Sequence, residues 1–273
     1  MTLPRPSKSQ LNLWKQLETV KVRRETGLFL AEGFKVTNEL LKSRWKINAL
    51  LIMEEKKDRC NSFLTNIPKG LEVYSLMSQE WKKLSQDENP EGIMAVGALP
   101  EGADISLLPK TGHVLLAYHI NNPNNLGALM RTAHWFGFGV ILLSKGSVDY
   151  TNPKAVRTSM GSLFHLTIIP DVDFAEAIPK MKERYFLVAS GIKKGLSPHP
   201  CMQDIALLLG SESHGLPKNM AEFADENWLI PGAGGSESLS LPQAAAIMMY
   251  EASKLPPHFP RAISKTSRIS STK

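Results

Sequence analysis

Beyond His113 the chain carries five short apolar runs without internal alternation: Val114-Leu-Leu-Ala-Tyr, Val140-Ile-Leu-Leu, Tyr185-Phe-Leu-Val-Ala, Ile205-Ala-Leu-Leu-Leu and Trp228-Leu-Ile. A strand with one wet face alternates apolar and polar residues, because successive side chains point to opposite sides. Runs without alternation suit strands covered on both faces, as in a parallel sheet flanked by helices. Helical spacing of apolar residues lies between most of them, at 126–137, 173–183 and 243–254. The pattern predicts an α/β domain with a parallel sheet. The first hundred residues predict a smaller α/β unit: a helix over 11–25 broken by Gly27, then strands at 27–31, 47–53, 71–76 and 92–98. Helical stretches are predicted at 35–43, from 62 onward and at 78–84. Residues 99–112 hold two prolines and two glycines with little periodicity, a linker. The expected division is a first domain over 1–98, the linker, a second domain over 113–256 and a basic, mobile tail over 257–273.

At 273 residues the chain can bury a substantial core without covalent staples. Its longest unbroken apolar stretch, Ala244 to Tyr250, is far below the ~20 residues of a membrane-spanning helix. The opening MTLPRPSKSQLNLW has positive charges but no apolar segment behind them, unlike a secretory signal. Cys60 and Cys201 are too few for a disulfide framework and fit a reducing compartment. No membrane partner and a cytoplasmic location are expected. Charge is informative once located. Residues 1–46 hold ten Lys/Arg against four Glu, and 261–273 hold Arg261, Lys265, Arg268 and Lys273 with no acid, so the formal +6 sits at the ends of a slightly acidic body. Clustered cations that displace condensed counterions bind phosphate backbones, so nucleic acid becomes the leading partner; an ordinary solvated surface is the alternative.

The chain lacks GxGxxG, the GxxxxGK[ST] phosphate loop and the Gly-x-Ser-x-Gly elbow, which disfavours ordinary dinucleotide, nucleotide triphosphate and hydrolase chemistry. Instead, Asn121-Asn-Pro-Asn-Asn-Leu-Gly-Ala-Leu-Met-Arg-Thr-Ala follows the first buried run. Asn124 or Asn125 is expected to cap a helix from about Leu126, Gly127 to admit a close backbone or phosphate, and Arg131 to share its helix face. Two further polar loops follow apolar runs, Gly210-Ser-Glu-Ser-His-Gly-Leu-Pro and Pro231-Gly-Ala-Gly-Gly-Ser-Glu-Ser-Leu-Ser-Leu-Pro. Ligands of open α/β sheets bind outside the carboxyl ends of the strands, so three such loops predict one shared site. Glu212, Glu237, Ser236 and Ser238 are its candidate polar groups. His214 has no visible Asp partner or nucleophile, and His113, His119, His134 and His165 are scattered without ligand spacing, so no metal is expected.

At these loops the chain resembles the SpoU/TrmH family of RNA ribose 2′-O-methyltransferases. The resemblance rests on Asn125-Leu-Gly-Ala-Leu-Met-Arg-Thr-Ala, Leu209-Gly-Ser-Glu-Ser-His-Gly-Leu, and Ile230-Pro followed by Glu237-Ser-Leu-Ser, with Lys154-Ala-Val-Arg-Thr-Ser-Met-Gly between the first two. The stretch Gly27-Leu-Phe-Leu-Ala-Glu-Gly resembles the substrate-binding domain many members carry, itself similar to RNA-binding ribosomal proteins. The resemblance implies S-adenosylmethionine as methyl donor, a deep trefoil knot in the catalytic domain and a homodimer. It also implies ribosomal RNA, most often 23S, rather than tRNA as substrate. By the family pattern Arg131, Asn125, Glu212, Ser238 and Ser240 are the catalytic group, and Leu209, Gly210, Gly215, Ile230 and Leu239 hold the cofactor. Arg131 would stand beside the ribose hydroxyl as a fixed cation. One departure is Ser240 and then Leu241-Pro-Gln, where the family carries Asn and then Val-Ser-Val; another is Ser213 in place of a frequent Gly. Serine is shorter than asparagine, so an RNA-binding or assembly factor that lost the chemistry is the rival reading.

Overall fold

In a computed structural model that describes residues 3–102, 104–105, 108, 111–191, 194–236 and 238–254, each apolar run becomes a strand. The N-terminal part comprises α1 (Lys8–Gln16), α2 (Val20–Thr26), β1 (Leu28–Glu32), α3 (Phe34–Lys42), β2 (Ile47–Met53), α4 (Lys57–Leu64), β3 (Glu72–Leu76), α5 (Ser78–Trp81) and β4 (Ile93–Ala98). Its four strands form a mixed sheet in the order β1-β4-β2-β3. The single helix expected over 11–25 is two. Ser7 starts α1 by a reciprocal cap with Gln10, the chain turns at Leu17, and Gly27 ends α2 in the left-handed region at φ +66°.

The C-terminal part comprises β5 (Val114–Ala117), α6 (Pro123–Phe136), β6 (Val140–Ser144), α7 (Pro153–Thr158), β7 (Thr167–Val172), α8 (Phe174–Lys182), β8 (Phe186–Ser190), β9 (Ile205–Leu209), α9 (Lys218–Ala221), β10 (Glu226–Trp228) and α10 (Leu241–Ser253). Six strands form one parallel sheet in the order β10-β8-β9-β5-β6-β7. The five apolar runs account for five of them. The sixth, β7, lies at an edge and exposes Thr167, Pro170 and Asp171, so it lacks the continuous apolar signature; proline is tolerated there because an edge strand can forgo a donor. The last apolar run forms a strand only over 226–228, which leaves Ile230 in the loop beyond it.

α6 begins earlier than the Asn cluster suggests. Asn122 caps it by accepting from the Asn124 amide at 2.9 Å, with Pro123 in the first turn, so neither Asn124 nor Asn125 is the cap. Gly127 admits backbone rather than a phosphate: a Cβ there would lie 2.7 Å from the Ala155 carbonyl and 2.6 Å from Thr158 Cβ, so α6 and α7 pack closely at this point.

The two sheets share a hydrophobic core. Phe29 and Ala31 of β1 and Leu40 of α3 are buried together with Phe164, Leu163 and Val156. Phe164 packs edge-on to Trp45 at 5.3 Å and contacts Phe29 at 6.0 Å. Arg23, only 2% exposed, crosses the same boundary: its guanidinium donates to Asp149 Oδ2 at 2.5 Å from Nη2 and 2.8 Å from Nε, while Nη1 donates to the carbonyls of Leu17 and Glu18. Every one of its nitrogens thus has a partner, which makes burial of the charge tolerable. The expected tail over 257–273 lies outside the described residues.

Candidate active site

The central strands end where the sheet's connections diverge, β5 leading to β6 and β7 on one side and β9 and β8 lying on the other. At that switch point the chain leaves a crevice. A cavity of about 420 Å³ opens there, within the size range of small-molecule sites. It gathers Asn125, Glu212, Ser238 and Ser240 with Leu209, Gly210, Gly215, Ile230 and Leu239, whereas Arg131 lies outside it and Ser236 turns its hydroxyl to the Ser238 carbonyl instead. Glu237 lies outside the described residues.

Local folding explains how each arrives. Leu209 ends β9, and Gly210 starts a loop that doubles back so tightly that Ser211 and Gly215 exchange backbone hydrogen bonds at 3.0 and 3.2 Å. A Cβ at Gly210 would stand 2.2 Å from the Gly215 carbonyl carbon, so only glycine fits. The loop carries Glu212 across to the first turn of α6, where Asn125 Nδ2 donates to Glu212 Oε1 at 2.8 Å. Ser240 is the N-terminal flanking residue of α10, yet its hydroxyl makes no capping bond, which leaves it for the cavity. Leu229, Ile230, Leu239, Leu241 and Met248 supply an apolar wall. Glu212 is the only charged residue among the described lining. Ser190 and Gly191, at the end of β8, complete it. They went unassigned in the sequence, although they follow an apolar run just as the other loops do.

Arg131 lies on the far side of α6 and lines a second cavity, of about 460 Å³, between the two sheets. Asn124 faces this space and Asn125 the first, so adjacent residues in one helical turn separate the two. The second cavity is positive on balance: Arg131, Lys154 and Arg157 line it against one carboxylate, Glu32. Arg157 pairs with Asp87 at 2.6 Å, whereas Arg131 and Lys154 form no ion pair among the described residues. Thr158 donates to Asn124 Oδ1 at 3.2 Å, tying α7 to α6 beside Arg131. The segment that contains Lys154, Arg157 and Thr158 resembles the family in sequence, but nothing local showed that it would face Arg131. His214 bonds only its neighbours, through Ser213 Oγ at 2.7 Å and Ser211 Oγ at 3.2 Å, and lies outside both linings.

Residues 112–250 match the SpoU rRNA Methylase family, and residues 8–95 match the MRM3-like substrate binding domain. The chain is 30% identical to the 23S rRNA (guanosine(2553)-2'-O)-methyltransferase RlmP of Bacillus subtilis, over 87% of this chain and 93% of that protein. The chain belongs to the SpoU rRNA methylase family. A solved structure, the rRNA methyltransferase from Sinorhizobium meliloti, superposes with a TM-score of 0.76 at 25% identity, covering 90% of this chain and 94% of that one. The SpoU methyltransferase AviRb of Streptomyces viridochromogenes, solved with the cofactor AdoMet, shares the fold at a TM-score of 0.78 and 23% identity, covering 90% and 97%. Family membership makes this chain an RNA methyltransferase, built on an α/β fold with a parallel sheet.

Proposed function

We propose that the protein transfers the methyl group of S-adenosylmethionine to a ribose 2′-hydroxyl of 23S ribosomal RNA, with the first cavity as cofactor site and Arg131 beside the reacting oxygen. The observation that carries the reading is the pair of adjoining cavities parted by one turn of α6, one with Glu212 as the single charged side chain of its described lining and the other with three cations against the one carboxylate of Glu32. The donor set fits the cofactor: an apolar wall and the loop backbone at Gly210, Ile230 and Leu239, next to Leu209 at the end of β9, suit adenine and ribose, and Glu212 suits a cationic end. When bound, S-adenosylmethionine supplies an electrophilic methyl group on a sulfonium.

The residues of this chain then have separable tasks. Asn125 fixes the Glu212 carboxylate through its 2.8 Å bond, and Ser238 and Ser240 offer hydroxyls to the same space. Gly127 lets α7 close on α6, which holds Arg131 in place. Arg131 acts on the ribose hydroxyl as a fixed cation that stabilises the developing alkoxide, while the hydroxyl proton passes to water. Alignment of hydroxyl and methyl group supplies much of the remaining rate, an effect worth ~7 kcal/mol or more when geometry is good. Residues 1–98 act as the RNA-binding domain, 99–112 as linker and 113–256 as the catalytic domain. The same reading threads the C-terminal segment through a trefoil knot, which is supported by the return of α10 to pack on α6 and β9. It makes the active species a homodimer, supported by apolar side chains left exposed on α6 and α10. It places the protein in the cytoplasm, supported by two free cysteines.

Arg131→Ala tests the central assignment. Methyl transfer to 23S rRNA from a labelled donor falls by about a hundredfold or more, while calorimetry shows S-adenosylmethionine affinity nearly unchanged. Wild-type turnover in this variant overturns the role of Arg131. The unbonded Ser240 hydroxyl favours catalysis over the rival reading of a binding factor, for which calorimetry would find no cofactor binding at all.

A further inference from the structure

Resting on the methyl-transfer reading, we propose that the cavity between the two sheets is the pocket for the nucleotide that receives the methyl group, with Glu32 reading its base. Arg131, Lys154 and Arg157 take its phosphates, and Glu32 accepts a hydrogen bond from an N–H on its base edge.

The pocket is built by both halves of the chain. Glu32 closes β1, at the end of the resembling stretch Gly27-Leu-Phe-Leu-Ala-Glu-Gly, and reaches the cavity whose opposite wall carries the cations of α6 and α7. Its position is fixed by two donors on a single oxygen: Trp81 Nε1 at 3.2 Å and Ser85 Oγ at 2.6 Å both bond Oε1. Oε2 takes neither bond. Among the described residues Ser75 Oγ is the only buried side-chain polar atom without a partner, so Oε2 is open to solvent or ligand. A half-buried carboxylate with one oxygen anchored and the other free is an acceptor held ready for a specific donor. Desolvation by burial also pushes the Glu32 carboxyl above its ordinary value, which marks the cost that a ligand N–H would offset.

The remaining features suit a nucleotide turned out of a helix. Two unpaired cations, Arg131 and Lys154, stand on one wall, and phosphate is the anion an RNA brings. Met160, 40% exposed and held in the left-handed region at φ +52°, presents a flexible, polarizable thioether at the same cavity. A chemistry performed on one nucleotide requires it to leave its stack, and reading the flipped base by its edge is the usual source of choice. The ribose then lies between the two cavities, at the helical turn that carries Asn124 and Asn125. The one free oxygen accepts a single N–H, which the imino and amino groups of guanine or the exocyclic amino group of adenine or cytosine supply. Uracil presents its imino N–H between two carbonyl oxygens, which a carboxylate repels.

The test uses the full chain, unmodified 23S rRNA transcript and tritiated S-adenosylmethionine. Glu32→Gln keeps an oxygen for Trp81 and Ser85 but turns an amide N–H₂ toward the base. It lowers kcat/KM for the transcript by about tenfold to a hundredfold, with cofactor affinity by calorimetry within twofold of wild type. Gln86→Trp, on the exposed rim of the same cavity, blocks it without touching the core and raises KM for RNA similarly. The mapped methyl group lies on a nucleotide other than uridine. Wild-type kinetics in both variants, or a methyl group on uridine, overturns the pocket. Should Glu32→Gln also lose cofactor binding, its effect is on folding, and Gln86→Trp decides alone. A wild-type protein that binds the cofactor yet methylates no RNA refutes the underlying reaction instead.

Discussion

Glu32 shows how a single side chain can work against stability where it serves a site. Its carboxyl is raised above the ordinary 4.5, chiefly by desolvation and next by the nearby Asp87 charge, against the lowering bonds from Ser85 and Trp81. An acid whose folded value exceeds its unfolded one contributes stability only in the protonated form. That contribution is present below about pH 4.5 and is lost as pH rises through the higher, folded value. Glu32→Gln removes the titration, so its melting temperature relative to wild type increases from pH 4 to pH 8; scanning calorimetry at both values checks this, and a constant difference contradicts it. Ser240 makes the complementary point. Serine in a position where the family carries asparagine reads in the sequence as a loss, but the hydroxyl is unspent on its helix cap and lines the cavity. The residue's type was legible, whereas its availability depended on the cap geometry.

At the scale of the element, α6 carries three different faces. Its Gly127 face is closed by α7, its Asn125 face looks into the first cavity, and Trp135 near its end is 82% exposed. α10, which packs on α6, exposes Ile247 and Tyr250, and Tyr250 contacts Phe136 of α6 at 5.9 Å. Large apolar side chains on two packed helices mark an association surface more often than chance exposure. Trp135→Glu combined with Tyr250→Glu is expected to convert a dimer into a single chain, as read by sedimentation velocity; an unchanged mass removes that surface from the dimer. The amphipathic pattern of α6 was legible in its sequence. Its start was read too late because the Asn-rich run offers several caps, and only the turn geometry selects Asn122. α7 and β7 were not read at all, being short and, for β7, half polar.

For the whole molecule, the decisive feature is that the two sheets are docked through a shared core instead of being joined only by a linker. The Arg23–Asp149 pair sits at that boundary, with Arg23 almost wholly buried. Removing one partner of such a pair leaves a charge without compensation, so Asp149→Ala is expected to cost about 3–5 kcal/mol. Chemical denaturation measures it, and a loss below 1 kcal/mol would show that water reaches Arg23. The rigid docking also fixes the second cavity, because Glu32 comes from one sheet and Arg131 from the other.

By itself the sequence determined the parallel sheet, five of its six strands and the loops that converge on the first cavity, and the motifs in those loops carried the resemblance to the family. The strands and loops follow from hydropathy and turn chemistry written within ten or so residues, and a strand buried on both faces must be apolar wherever it lies. Only the tertiary structure decided that Arg131 faces a separate cavity, that Lys154 and Arg157 stand beside it, and that Glu32 lies across from them. Glu32 and Arg131 are about a hundred positions apart and their side chains carry no local sign of each other. Their meeting depends on how two sheets pack, which is settled by the fit of Phe29, Trp45 and Phe164 rather than by any motif.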